Sequence, residues 1–246
     1  MNPSAYTEMA GVQERHWWYV ARREILGVQL RQLQLPCDAE ILEVGSGTGA
    51  NLALLAQFGR VTGLEMEQRA IELARRSLGP RNDIRLLQGR CPEDLGRVAQ
   101  RFDLICLFDV LEHIVQDRQA LERLRSLLKP GGRLLLTVPA YQWMWGPHDE
   151  HFHHQRRYSK AELLSTCESA GYAVAHACHF NSLLFPLALI ERMREKWTGR
   201  RGAAARTPPP VLNALLARVF AAERHLLALV APPFGLSLLL LAGARA

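Results

Sequence analysis

The sequence predicts an α/β fold, a parallel sheet with helices on both faces, interrupted by a helical insertion before its last strand. Three observations lead there. Short strand-like runs alternate with helical patterns from residue 40 to residue 139, and that alternation implies right-handed βαβ crossovers. The runs ILEV, DLICLF and LLLTV are apolar throughout, as strands covered on both faces must be. The chain has 246 residues, 48% hydrophobic and 22% charged, enough to bury one sizeable core and too apolar for wholesale disorder.

Residues 14–33 read as a helix with Trp18, Ala21, Ile25 and Val28 on one face, and Pro36 closes it. Strands follow at Glu40–Val44, Arg60–Glu65, Asp83–Gln88, Phe102–Phe108 and Arg133–Val138. Between them lie helical patterns over 49–57, 67–78 and 116–128, with a shorter one near 93–100. A helix over Lys160–Ala170 leads through Gly171 into a strand over Ala173–Phe180. Residues 181–231 break the alternation with two helical stretches, split by Gly199–Pro210, whose composition cannot build a core. Leu236–Ala242 reads as the closing strand.

The net charge of +6 is concentrated rather than spread. Between Asn181 and Gly235 there are eight Arg and Lys, including Arg192, Arg194, Lys196 and Arg218, against three Glu. A focused basic segment suggests an anionic partner, a lipid head group or a phosphate-bearing substrate. Five scattered cysteines with no C-x-x-C pair argue for reduced thiols. The polar N-terminus has no signal-peptide core, and no apolar run approaches the roughly 20 residues of a spanning helix. The expectation is a cytoplasmic protein, peripheral at most to the inner face of the membrane.

Glu43-Val44-Gly45-Ser46-Gly47-Thr48-Gly49 falls where the first strand turns into a helix. Glycines there let the backbone approach a ligand, and a helix N-terminus supplies free N–H groups. Alone the string is ambiguous, because with Ala50 it also satisfies the dinucleotide pattern G-x-G-x-x-G/A.

With its surroundings, the sequence resembles the class I S-adenosylmethionine-dependent methyltransferases over roughly residues 38–180. Glu43 stands two residues before the first glycine, Glu65 ends the next strand, and Phe102-Asp103-Leu104-Ile105 is followed by the Lys129-Pro130-Gly131-Gly132 loop. The resemblance implies a Rossmann-like seven-stranded sheet and S-adenosyl-L-methionine as cofactor. It places Glu43, Gly45, Ser46, Gly47 and Gly49 around the methionine and ribose portions, with Glu65 on the ribose hydroxyls and Met66 beside it. A carboxylate suits a diol because it accepts two hydrogen bonds. Asp109, after the fourth strand, completes the cofactor set. Where the family often carries Gly-Asp-Ala beside the adenine, this chain has Gly89-Arg90-Cys91. Arg90 and Cys91 then line that pocket while backbone groups, Glu93 or Asp94 serve the adenine. Implied domains are a helical lid over 1–35, a cofactor-binding domain over 36–180 and 232–246, and a helical cap over 181–231.

Asp109-Val110-Leu111-Glu112-His113 follows the fourth strand, and His148-Asp149-Glu150-His151-Phe152-His153-His154 lies downstream. The D-x-x-E-H string resembles the E-x-x-E-H metal ligands of ubiquinone-pathway O-methyltransferases and small-RNA 2′-O-methyltransferases. On that resemblance Asp109, Glu112, His113 and His154 are expected ligands of a divalent metal, which would lower the pKa of an acceptor hydroxyl. Without a metal, His113, His148 or His154 is the expected general base. The expected activity is methylation of an oxygen on a lipophilic or lipid-linked small molecule. The alternatives are a metal-dependent RNA 2′-O-methyltransferase and a catalytically silent cofactor-binding module. Nucleic acid is disfavoured, because no run resembles a recognised RNA-binding module.

Overall fold

The computed structural model describes residues 3–198, 207–227 and 229–245. Arg200, Arg201, Arg206 and most of the expected Gly199–Pro210 linker lie outside the described residues, as do the side chains of Lys196 and Trp197. Seven strands form one sheet: β1 (Glu40–Val44), β2 (Arg60–Glu65), β3 (Ile84–Gln88), β4 (Phe102–Phe108), β5 (Leu128–Pro139), β6 (Tyr172–Phe180) and β7 (Ser237–Ala244), in the order β3-β2-β1-β4-β5-β7-β6. Pairing is parallel from β3 to β5, whereas β7 slots antiparallel between β5 and β6. The helices are α1 (Pro3–Val12), α2 (Trp17–Gln32), α3 (Leu52–Leu55), α4 (Gln68–Leu78), α5 (Asp117–Ser126), α6 (Pro147–His151), α7 (Lys160–Ser169), α8 (Phe185–Thr198) and α9 (Pro210–Leu226).

Alternation along the strands divides the core in two. Leu42, Val44, Ile105, Leu107, Leu134, Leu136 and Val138 face one side, against Leu121 and Leu124 of α5 and Leu163 and Cys167 of α7. Ile41, Leu104, Cys106 and Leu135 face the other, against Ala21, Ile25, Leu26 and Leu30 of α2, Leu52 and Leu55 of α3, and Phe220 of α9. Each fully buried Leu or Ile contributes about 1.5–3 kcal/mol, so two such layers hold the sheet from both faces.

Several boundaries differ from the sequence expectation. The helix expected over 14–33 begins at Trp17, where His16 caps Trp18 N–H, and a separate helix, α1, precedes it. The helix expected over 49–57 shrinks to Leu52–Leu55, because residues 45–50 are spent in a turn. Near 93–100 there is a single 3-10 turn, Leu95–Arg97. The Lys129–Gly132 segment is drawn into β5, with a register shift opposite Phe102 and Leu104.

The two helices expected within 181–231 do different work. Phe220 of α9 is fully buried and packs on Trp17 and Phe180, with ring centroids 6.0 and 6.2 Å away. Asn213 of α9 accepts from Trp17 N–H and donates to Arg15 O, at 2.9 and 2.8 Å, so α9 sets the start of α2. No described side chain from Phe185 to Arg194 of α8 is buried.

Candidate active site

Strand order reverses between β1 and β4, and in such sheets the ligand crevice opens at the carboxyl ends of the strands around that point. The turn after β1 is pinned there, with Gly45 and Ser46 N–H donating to Leu64 O at 2.7 and 3.2 Å. Gly45 and Gly47 both adopt positive φ, 68° and 52°. A Cβ on Gly45 would strike Val110, whereas one on Gly47 would meet nothing within 4 Å, so Gly47 borders open space. Gly49, φ 85°, packs its backbone against Ala74 of α4.

Glu65 ends β2 with its carboxylate accepting from Gly47 N–H at 2.8 Å and Glu67 N–H at 2.9 Å. Burial raises its pKa, and those backbone donors oppose the rise. Glu43 accepts from Asn51 Nδ2 at 2.8 Å, but its second oxygen is buried without a partner, as is Ser46 Oγ. Burial pushes the Glu43 carboxyl up to about 8. Orphaned buried polar atoms around an open glycine turn fit a ligand that brings its own hydrogen-bonding groups, and the amino-acid and ribose portions of S-adenosylmethionine do so. Met66 stands beside Glu65, half exposed. Helix α1 reaches the same place, with Tyr6 hydroxyl against the Glu65 carboxylate and Gln13 bonded to Thr48. In the third-strand loop, Arg90 is exposed and Cys91 half-buried, its thiol pushed up to about 12 by burial. Asp94 is turned back into its own loop, accepting from Arg90 N–H at 2.9 Å and pairing with Arg97.

Asp109, the first residue after β4, holds a positive φ of 56°. Its carboxylate meets Arg22 Nη2 at 2.6 Å and accepts from Thr137 Oγ1 at 3.2 Å, while the same Arg22 nitrogen donates to Thr137 Oγ1 at 3.1 Å. The guanidinium lies 4.7 Å from the Trp18 ring centroid. Sequence reasoning did not single out Arg22, although the spacing 18-22-25 places it on the apolar face of α2.

The second cluster is assembled by backbone pairing. Gln155 N–H donates to Glu112 O at 2.8 Å, which draws the segment after α6 against the turn after β4. His113 and His154 then meet edge to face, with ring centroids 4.7 Å apart. Ligand atoms of Glu112, His113 and His154 all lie within 4.8 Å of one another. Both Glu112 carboxylate oxygens are buried without a partner, and burial, then the charge of Asp109, pushes that carboxyl well above the usual range. Burial and the neighbouring His154 lower His113 to about 4, so it is neutral at neutral pH.

Asp149 is fully buried and organises this corner, capping Gly146 N–H through Oδ2 at 2.9 Å. Its Oδ1 meets His154 Nδ1 at 2.8 Å and Arg157 Nε at 2.7 Å. Burial works to raise the Asp149 carboxyl, but the bonds from His154 and Arg157 outweigh it and hold it well below the carboxylate range. An ionised carboxylate only accepts, so His154 Nδ1 is the donor in that bond. Sequence reasoning named Asp149 only as a neighbour of the histidines and gave it and Arg157 no role, because the pairing of Asp149 with His154 and Arg157 is made by the fold.

Asp109 does not join the Glu112–His113–His154 group, and its carboxylate pairs with Arg22 instead. His148, an expected candidate base, lies beside that group, its ring 4.6 Å from that of Phe152 and 6.1 Å from that of His154.

Known proteins agree with this architecture. The chain is 28% identical over 126 residues to a probable cobalt-precorrin-6B C(15)-methyltransferase (decarboxylating) of Saccharolobus solfataricus, covering 48% of this chain and 62% of that protein. It is 33% identical over 99 residues to the ubiquinone biosynthesis O-methyltransferase of Coxiella burnetii, covering 40% and 42%. The matches thus span less than two thirds of either relative. In fold, it resembles a chain of the complex between the Haloferax volcanii Trm112 methyltransferase activator and a methyltransferase, with TM-score 0.62, 21% identity and 98% of each chain covered. An S-adenosylmethionine-dependent methyltransferase of Mesorhizobium loti follows at TM-score 0.54, 18% identity, and 87% and 95% coverage. A family model of the methyltransferase domain matches residues 17–177, from α2 into β6, and the chain belongs to that family, the class I S-adenosylmethionine-dependent methyltransferases.

Proposed function

We propose that this methyltransferase acts on a hydroxyl oxygen of a lipophilic or lipid-linked small molecule. The observation that carries the reading is His154, whose Nδ1 bonds the buried Asp149 while its ring meets a neutral His113 edge to face, which turns Nε2 towards the cluster as the proposed base. S-adenosylmethionine supplies an electrophilic methyl group on a sulfonium. The residues of the chain have to align the acceptor and take its proton. His154 Nε2 would take the hydroxyl proton of an acceptor whose oxygen receives that methyl group, and the C–S electron pair would stay on the departing thioether sulfur. The ubiquinone-pathway relative, itself named an O-methyltransferase, supports an oxygen acceptor.

A divalent metal is the second reading, favoured by the unpartnered Glu112 carboxylate between two imidazoles. One carboxylate and two imidazoles suit several first-row ions, and such an ion would polarise the acceptor hydroxyl. Glu112, His113 and His154 would hold it, without Asp109.

The test is transfer of labelled methyl from S-adenosylmethionine into lipid and quinone extracts, with total RNA assayed in parallel. Label in an ether of a lipid-soluble product, lost in His154→Ala, supports the proposal. Label only in RNA favours the 2′-O-methylating alternative, and no transfer to either acceptor pool rejects the lipophilic reading. Dialysis against chelator separates the two forms of the site. Full activity after it leaves His154 as the base, and loss restored by added metal favours the metal.

A further inference from the structure

We infer that the open face of α8 docks on an anionic lipid bilayer, beside the mouth of the acceptor site. A surface helix ordinarily turns its apolar stripe inward and its polar residues to water. Helix α8 does the opposite. Leu187, Ile190 and Met193 lie on one arc of the helix and are 57%, 64% and 48% exposed. The opposite arc faces the protein, where Phe185 meets Tyr141 at 5.8 Å between ring centroids and the Arg192 guanidinium closes over Gly146. Gly146 is the residue capped by Asp149, so the inner side of α8 overlies the corner that holds His154. Val211 and Leu215, at the start of α9, are likewise 84% and 56% exposed.

Apolar side chains exposed along one arc of a helix mark an interaction site, and the charge around them selects the partner. Arg194, paired with Glu191 at 2.8 Å, lies exposed on the same arc of α8 as Leu187, and Arg218 is exposed on α9. The segment from Asn181 to Gly235 carries eight Arg and Lys against three Glu. Leu, Ile and Met flanked by cationic side chains is the composition of an interfacial helix, which binds anionic head groups while its apolar side enters the acyl boundary. Among the described residues no helix is long and apolar enough to cross a membrane, so contact of this kind is peripheral. The inference goes beyond methyl transfer and does not depend on which acceptor is used.

The test is sedimentation of the full chain with vesicles of phosphatidylcholine alone, or of phosphatidylcholine mixed with phosphatidylglycerol, at low and high salt and without acceptor. Binding to the mixed vesicles should exceed binding to neutral ones and weaken with salt. Arg218→Glu should reduce it about five-fold or more, and the double variant Ile190→Glu/Met193→Glu at least about tenfold. These side chains are exposed, and calorimetry with S-adenosylhomocysteine checks that the variants remain folded. Protein left in the supernatant with anionic vesicles at low salt overturns the inference. So does equal binding by the double variant, or self-association without vesicle binding that the double variant abolishes, since a second copy would then cover this face.

Discussion

Arg22 on α2 and Asp109 at the end of β4 form an ion pair of 2.6 Å that ties the N-terminal helix to the carboxyl edge of the sheet. The Arg22 side chain is 6% exposed and that of Asp109 24%, so the pair is partly shielded from water and removal of one partner strands the other. Arg22→Ala is expected to lower stability by about 2–4 kcal/mol in urea unfolding. The double variant with Asp109→Ala should cost less than the two single variants added together, as contacting groups do. Strict additivity would show that the pair does not couple.

Cofactor binding should respond to the glycine turn and to Glu65. Glu65→Ala removes the carboxylate that receives Gly47 N–H and is expected to weaken S-adenosylhomocysteine binding about 10–100-fold by calorimetry. Gly47→Val should weaken it as well, because φ 52° is costly for a β-branched residue and its side chain would enter the open space. Neither variant should bind NAD. Unchanged affinity in both would place the cofactor elsewhere.

Asp149 bonds His154, Arg157 and Gly146 N–H, so in the proposed function it acts as a positioning residue through His154. Asp149→Asn should lower kcat by roughly 10–100-fold, the usual range for a group that orients a functional histidine, with little change in cofactor affinity. The pH–rate profile should move too, because His154 loses the carboxylate that fixes its tautomer. An equal loss of cofactor binding would mean that Asp149 is merely structural.

Glu43 makes stability depend on pH. Its carboxyl sits at about 8 in the folded chain against 4.5 for an ordinary glutamate. Between those values the folded state holds a proton that the unfolded state has released, so stability falls as pH rises through the window. Below it the penalty is absent, and above about pH 8 it is complete, on the order of a few kcal/mol. Glu65 and Glu223 are also raised by burial and add slope of the same sign. The informative quantity is therefore the difference between the native chain and Glu43→Gln. Tm should drop more steeply with pH in the native chain, and parallel curves would contradict the assignment.

Periodicity and local turns were legible in the sequence, because each depends on residues a few positions apart. The order of the strands, the glycine turn after β1 and the acid ending β2 appear where their spacing placed them, although the helices over 49–57 and 93–100 shrink to short turns. Tertiary structure decided the rest. It placed β7 antiparallel between β5 and β6. It paired Asp109 with Arg22 and gathered Glu112, His113 and His154 without it. It made Asp149 the partner of His154, a role its place among the histidines did not reveal. It also packed α9 onto α2 while leaving α8 open, although both stretches have the same amphipathic pattern. The physical reason is common to all four. Which buried charge finds which partner, and which apolar face finds a neighbour, depends on distances between residues far apart in the chain, and no local period encodes those distances.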